Sequence, residues 1–125
     1  MIPVTGLAFA VYVVSDITRA RRFYGEQLGL PIGIDQEVAP GFWWLEFDLG
    51  PSALGVTNMA LPGANATRTP GVTVEVGDFD ATLAHVQHAG IPVFWGPNDF
   101  PVCRSFGIKD PDGNDLYFHQ RKGAA

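Results

Sequence analysis

The strongest constraint on this chain is that it repeats itself. Val11-Tyr12-Val13-Val14-Ser15-Asp16-Ile17 is similar to Thr73-Val74-Glu75-Val76-Gly77-Asp78-Phe79, at a shift of about 62 residues. A second pair, Gly29-Leu30-Pro31-Ile32 and Gly90-Ile91-Pro92-Val93, follows at a shift one residue shorter. That difference implies one inserted residue in the first helix or at its end. The ends correspond too. Asp48-Leu49-Gly50-Pro51 precedes Leu54-Gly55-Val56, as Asp110-Pro111-Asp112-Gly113 precedes Leu116-Tyr117-Phe118. Three collinear matches point to a duplicated unit, with a functional cleft expected between the copies.

Local patterning gives each copy the same order of elements. Phe9 to Val14 is apolar at every position, which suits a strand buried on both faces. Asp16 or Thr18 can cap the following helix, whose apolar residues Ala20, Phe23, Tyr24 and Leu28 recur at helical spacing before Gly29 ends it. The second copy offers Asp78 or Asp80 as cap, a stripe of Leu83, Val86 and Ala89, and Gly90 as the stop. Three apolar segments follow each helix and predict strands at about 32–38, 42–48 and 53–58, then 92–95, 103–109 and 115–120. Asp110-Pro111-Asp112-Gly113 marks a tight turn. The expected fold is α+β: one domain of two βαβββ modules, at about 5–60 and 69–121, with a linker at about 59–70.

Composition narrows the function. Hydrophobic residues make up 46% of the 125 and charged residues 17%, enough for a packed core in a single domain. No apolar run is long enough for a membrane helix, and no secretory signal is visible, so no membrane partner is expected. The net charge of −5 and the lack of a basic patch beyond Arg19-Arg21-Arg22 and Arg121-Lys122 argue against nucleic acid. Cys103 is alone, so no internal disulfide is expected and a reducing cytoplasm is the default location.

With these words in order, the chain resembles the vicinal-oxygen-chelate superfamily, which includes glyoxalase I, extradiol dioxygenases and the fosfomycin- and bleomycin-resistance proteins. The resemblance spans nearly the whole chain. It rests on Val14-Ser15-Asp16 with Arg22-Phe23-Tyr24, on Gly29-Leu30-Pro31, on Val74-Glu75-Val76 with Asp78, on Ala89-Gly90-Ile91-Pro92, and on Asp110-Pro111-Asp112-Gly113-Asn114. It implies modules whose strands curl into a partial barrel around a small-molecule ligand, and a homodimer.

The metal-dependent members hold their ion with residues of the opening and closing strands of each module. By the resemblance, these positions fall on Phe9, Gly55, Gly71 and Tyr117, none of which is a usual ligand. His85 and His88 sit three apart on the second helix and read as solvated. No metal and no cofactor is therefore expected.

Alternation then fills the cleft side with other residues. Phe9 brings Val11 and Val13, while Gly71 brings Thr73 and Glu75. Tyr117 brings His119, and either Trp43 or Trp44 falls on this side; the resemblance implies Trp44, with Glu46. Cys103 and Ser105 share one face of their strand, and Phe94, Trp95 and Phe100 flank a Gly-Pro-Asn-Asp loop as a rim. The expected ligand-binding set is thus Phe9, Trp44, Glu46, Glu75, Trp95, Cys103, Tyr117 and His119. Phe23, Tyr24, Phe47, Phe79, Phe106 and Phe118 are assigned to the core. Glu75, inside an apolar strand, is expected either to have a raised pKa and serve as acid or base, or to bind a cationic group, or to reach water or Arg104.

Three functions are compatible with these residues. The first is a metal-independent binding protein that sequesters a planar or cationic ligand. The second is a metal-free isomerase or lyase using Glu75, His119 or Tyr117 as acid or base. The third is a metal enzyme of glyoxalase or dioxygenase type, which the four non-ligand positions disfavour.

Overall fold

The computed structural model describes residues 3, 5, 7–59 and 71–123. The linker expected at 59–70 lies, from residue 60 on, outside the described residues. Contacts divide the chain into two compact units, Met1–Ala66 and Thr67–Ala125.

The first unit contains β1 (Phe9–Val13), α1 (Ile17–Arg21) with a π-helical continuation over Arg22–Gln27, β2 (Ile32–Ala39), β3 (Phe42–Leu49) and β4 (Ser52–Thr57). The strands form one sheet in the order β1-β4-β3-β2, with β1 parallel to β4 and the other pairs antiparallel. The second unit contains β5 (Val72–Glu75), α2 (Phe79–His88), β6 (Val93–Asp99), β7 (Cys103–Lys109) and β8 (Asp115–Arg121). Its sheet, β5-β8-β7-β6, repeats the first arrangement. Each unit is a βαβββ module.

The capping alternatives resolve in the same way in both modules. The Asp16 carboxylate accepts from Arg19 N–H at 3.0 Å, and the Asp78 carboxylate accepts from Ala81 N–H at 3.0 Å. Each satisfies a backbone donor that the first helical turn leaves free. Gly29 and Gly90 end the helices at φ of +73° and +75°. The inserted residue has a physical form. Leu28 N–H donates to Phe23 O at 2.9 Å, five residues back, so the first helix absorbs one extra residue as a π turn.

Each sheet buries one face against its own helix. Tyr12, Tyr24, Leu45, Phe47 and Leu54 form the first core. Phe79, Val86, Phe106, Ile108 and Leu116 form the second, with the Phe79 and Phe106 rings 5.4 Å apart, edge to face. The six aromatics assigned to the core from sequence are all buried. Burying a side chain of this size contributes about 1.5–3 kcal/mol.

One strand departs from expectation. The sequence predicts that it ends at 95 and gives way to a Gly-Pro-Asn-Asp loop, whereas β6 continues to Asp99. Pro97 is accommodated because β6 is an edge strand, where a missing N–H breaks no inner ladder. A register shift between Trp95 and Asn98 takes up the irregular stretch, in which Gly96 has φ +80° and the Gly96-Pro97 bond is cis. A Cβ on Gly96 would stand 2.8 Å from Ser105 O, so the close approach of β6 to β7 requires glycine.

Candidate functional site: an aromatic cavity in the second module

The face of the second sheet that carries Thr73, Ser105, Tyr117 and His119 is hollowed into a cavity of about 440 Å³. Its aromatic lining is Phe94, Trp95, Phe100 and Tyr117; Thr73, Cys103, Ser105 and His119 supply the polar atoms. Strand register explains the grouping. Thr73 pairs with Tyr117, Gly107 with Tyr117, and Ser105 with His119, so β5, β7 and β8 project alternate residues to the same side.

The rings are placed by glycine. A Cβ on Gly71 would meet Tyr117 Cε2 at 2.7 Å, and one on Gly107 would meet Tyr117 and Phe94 ring atoms at 2.9 Å. Tyr117 therefore rests on bare backbone on both sides. Trp95 packs edge-on against Tyr117 at 5.7 Å, and Phe94 lies 5.9 Å from it. Trp95 is also 6.2 Å from Phe100. These rings remain partly exposed: Trp95 39%, Phe94 44% and Phe100 41%.

The polar end of the site is a carboxylate–imidazole pair. Glu75 Oε1 lies 2.5 Å from His119 Nδ1, and Glu75 Oε2 accepts from Arg121 N–H at 2.8 Å. The Arg121 N–H and the His119 ring both favour the ionised carboxylate and hold the Glu75 pKa below its ordinary value. This corrects the expected raised pKa. Apolar neighbours in sequence are not apolar surroundings here, because Glu75 stands at the exposed end of β5. Nor does Glu75 meet Arg104, which pairs with Asp80 at 3.0 Å and covers the Phe79 ring at 4.2 Å.

Tyr117 has a different environment. Burial, followed by the nearby Asp115 carboxylate, pushes its phenol above the usual tyrosine range, and its hydroxyl donates to Asp115 Oδ2 at 3.3 Å. Lys109 Nζ reaches Asp115 at 2.5 Å and lies 4.4 Å above the Phe94 ring. Sequence reasoning missed Lys109 and Asp115. The signal was the tight turn between them, which makes 109 and 115 a cross-strand pair.

Of the expected ligand-binding residues, Trp95, Cys103, Tyr117 and His119 line this cavity, and Glu75 holds His119. Phe9, Trp44 and Glu46 gather instead in the first module. The Phe9 and Trp44 rings meet edge to face at 5.3 Å, and Trp44 Nε1 donates to Glu46 Oε2 at 2.7 Å. Trp44 covers Gly55, where a Cβ would approach it to 3.0 Å. Trp43 takes the other side and lies under the Arg21 guanidinium at 5.1 Å.

The positions that the family pattern gives to a metal are thus occupied by aromatic rings and by the glycines beneath them. Among the described residues no group of three or more His, Cys, Asp or Glu side chains converges, and His85 and His88 are exposed on α2. This donor set does not fit a divalent ion.

The sequence model of the glyoxalase/bleomycin resistance protein/dioxygenase superfamily matches residues 6–118. The chain belongs to this superfamily. Among solved structures, it is similar to a glyoxalase/bleomycin resistance protein from Streptomyces sp. CB03234, at 29% identity and a TM-score of 0.81 over 92% of this chain and 100% of that one. TnmS3, an antibiotic binding protein from the same Streptomyces, is 27% identical with a TM-score of 0.86, over 98% and 100% of the two chains. A lactoylglutathione lyase from Agrobacterium tumefaciens shares the fold at 19% identity and a TM-score of 0.76, over 94% and 95%. No curated protein matches the chain. No described helix is long and apolar enough to cross a membrane.

Proposed function

We propose that this superfamily member is a cytoplasmic, metal-independent binding protein that sequesters a planar aromatic or cationic small molecule in the second module's cavity. The observation that carries the reading is the cavity itself, about 440 Å³ with four aromatic walls and a few polar atoms. Small-molecule sites generally have this size and character. Flat rings offer stacking faces to a planar ligand and quadrupole attraction to a cation. The similarity to an antibiotic binding protein supports the same class of role. Trp95, Cys103, Tyr117, His119 and Glu75 form the proposed site; Phe9, Trp44 and Glu46 form a separate candidate ligand surface within the first module. Titration with planar aromatic and quaternary ammonium compounds, followed by tryptophan fluorescence and thermal shift, tests the reading. It predicts quenching and a raised Tm without turnover. No response from either compound class would refute it.

The same reading takes the chain as a homodimer. Ile34 and Phe42 are apolar and exposed on the face of β2 and β3 that carries Trp44 and Glu46, a surface that a second copy would cover. Light scattering should give twice the chain mass, and a monomeric mass would overturn this point.

The Glu75–His119 pair favours a second reading, a metal-free isomerase or lyase. A carboxylate-held imidazole can take up and return a proton. That reading predicts turnover lost in His119→Ala with the fold intact, and unchanged turnover would remove it.

A further inference from the structure

We infer that His119 makes the cavity selective for planar aromatic ligands that carry a phenol-type hydroxyl at one edge. The inference rests on the binding reading above and names the ligand class that the polar end of the cavity would accept.

The polar end of the cavity is set by Glu75. Both of its oxygens are engaged, Oε2 by the Arg121 N–H at 2.8 Å and Oε1 by His119 Nδ1 at 2.5 Å. A carboxylate held ionised only accepts, so the proton in the second contact belongs to Nδ1. In a neutral imidazole with Nδ1 protonated, Nε2 carries the lone pair. His119 lines the cavity, and Nε2 is the ring nitrogen left to serve it. Two other polar side chains of the lining are already committed. The Ser105 hydroxyl donates to Phe118 O at 3.0 Å, and the Tyr117 hydroxyl donates to Asp115 at 3.3 Å.

With the imidazole neutral, the cavity offers a directed acceptor at one end of an aromatic slot. An aromatic hydroxyl satisfies it while its ring stacks on Trp95. An ether or an unsubstituted ring leaves Nε2 without a partner in a partly desolvated place, which weakens binding. In this arrangement Glu75 is a positioning residue: it acts through the tautomer and orientation of His119 rather than on the ligand.

The test compares a hydroxyflavone with its methyl ether by fluorescence titration. The intact protein should bind the hydroxyl compound about tenfold more tightly, the effect of one hydrogen bond to a partly buried partner. His119→Phe should bring the two within about twofold, because the hydrogen bond to the hydroxyl and the penalty of an unpartnered Nε2 beside the ether are both removed. Glu75→Leu should reduce the preference, and Glu75→Gln should reduce it too, since its single oxygen is taken by the Arg121 N–H and its NH2 then faces Nδ1. The nitrogen-15 shifts of His119 should report protonated Nδ1 and bare Nε2 in the intact protein, and a mixture of tautomers in Glu75→Leu. Equal affinity of the intact protein for both compounds would overturn the selectivity and leave the binding reading standing. Failure of both compounds to bind, while quaternary ammonium compounds bind, would overturn it too. No binding by any class would remove both.

Discussion

Tyr117 lies against Gly107, its partner in the neighbouring strand, so closely that a Cβ at 107 would stand 2.9 Å from two atoms of its ring. The same missing Cβ admits Phe94, also at 2.9 Å. One glycine thus sets the position of two cavity walls. Gly107→Ala must displace both rings and is expected to cost about 1–3 kcal/mol through overpacking. The cavity narrows with it, so ligand affinity should fall even where the variant stays folded. Chemical denaturation together with a fluorescence titration measures both effects.

Tyr117→Phe separates binding from catalysis. Its hydroxyl is directed to Asp115, and the ring alone packs against Trp95. A binding role predicts affinity within about twofold of the unaltered protein, because the stacking surface is retained. An enzyme using Tyr117 as acid predicts lost turnover instead. Parallel binding and turnover assays distinguish the two.

The hairpin between β7 and β8 supports the site from outside it. Asp110 Oδ1 accepts from the N–H groups of Asp112 at 2.9 Å and Asn114 at 2.8 Å, and Oδ2 accepts from Asn114 Nδ2 at 2.8 Å. Asp110 and Asn114 are both buried. Asp110→Ala removes the acceptor that these donors share and should cost about 2–4 kcal/mol, with Asp110→Asn losing less. Thermal or urea unfolding provides the measurement.

Glu75 gives the stability a defined pH dependence. Its folded-state pKa is held below 4.5, first by the Arg121 N–H and then by His119. The folded protein therefore binds this proton less readily than the unfolded chain does. The stabilisation is present above pH 4.5 and disappears as the pH falls through the folded value. Glu75→Gln should flatten that acid limb of the urea-midpoint profile. A limb identical in both proteins would contradict the assignment.

Much of this architecture was legible in the sequence because its signals are local. Asp16 with Gly29 and Asp78 with Gly90 bracket the helices, and the repeat carried the module order. The inserted residue was visible as an offset of one, but its form as a π turn depends on hydrogen bonding around Phe23 and Leu28. Two features escaped because they depend on neighbours distant in sequence. The surroundings of Glu75 looked apolar along its strand, yet Arg121 and His119 come from β8. Gly96 to Asp99 looked like a loop, yet pairing with β7 continues the strand through it. The aromatic character of the site was readable. The division of its residues, with Trp95, Tyr117 and His119 around one cavity and Phe9 and Trp44 in the other module, depends on ring contacts between residues distant in sequence.

The central claim is that ligand stacks on Trp95 in the second module. Titration of the intact protein and of Trp95→Ala with the same hydroxyflavone tests it most directly. The account predicts that Trp95→Ala binds at least about tenfold more weakly, through loss of stacking and of apolar contact area. Equal affinity in the two proteins would contradict it.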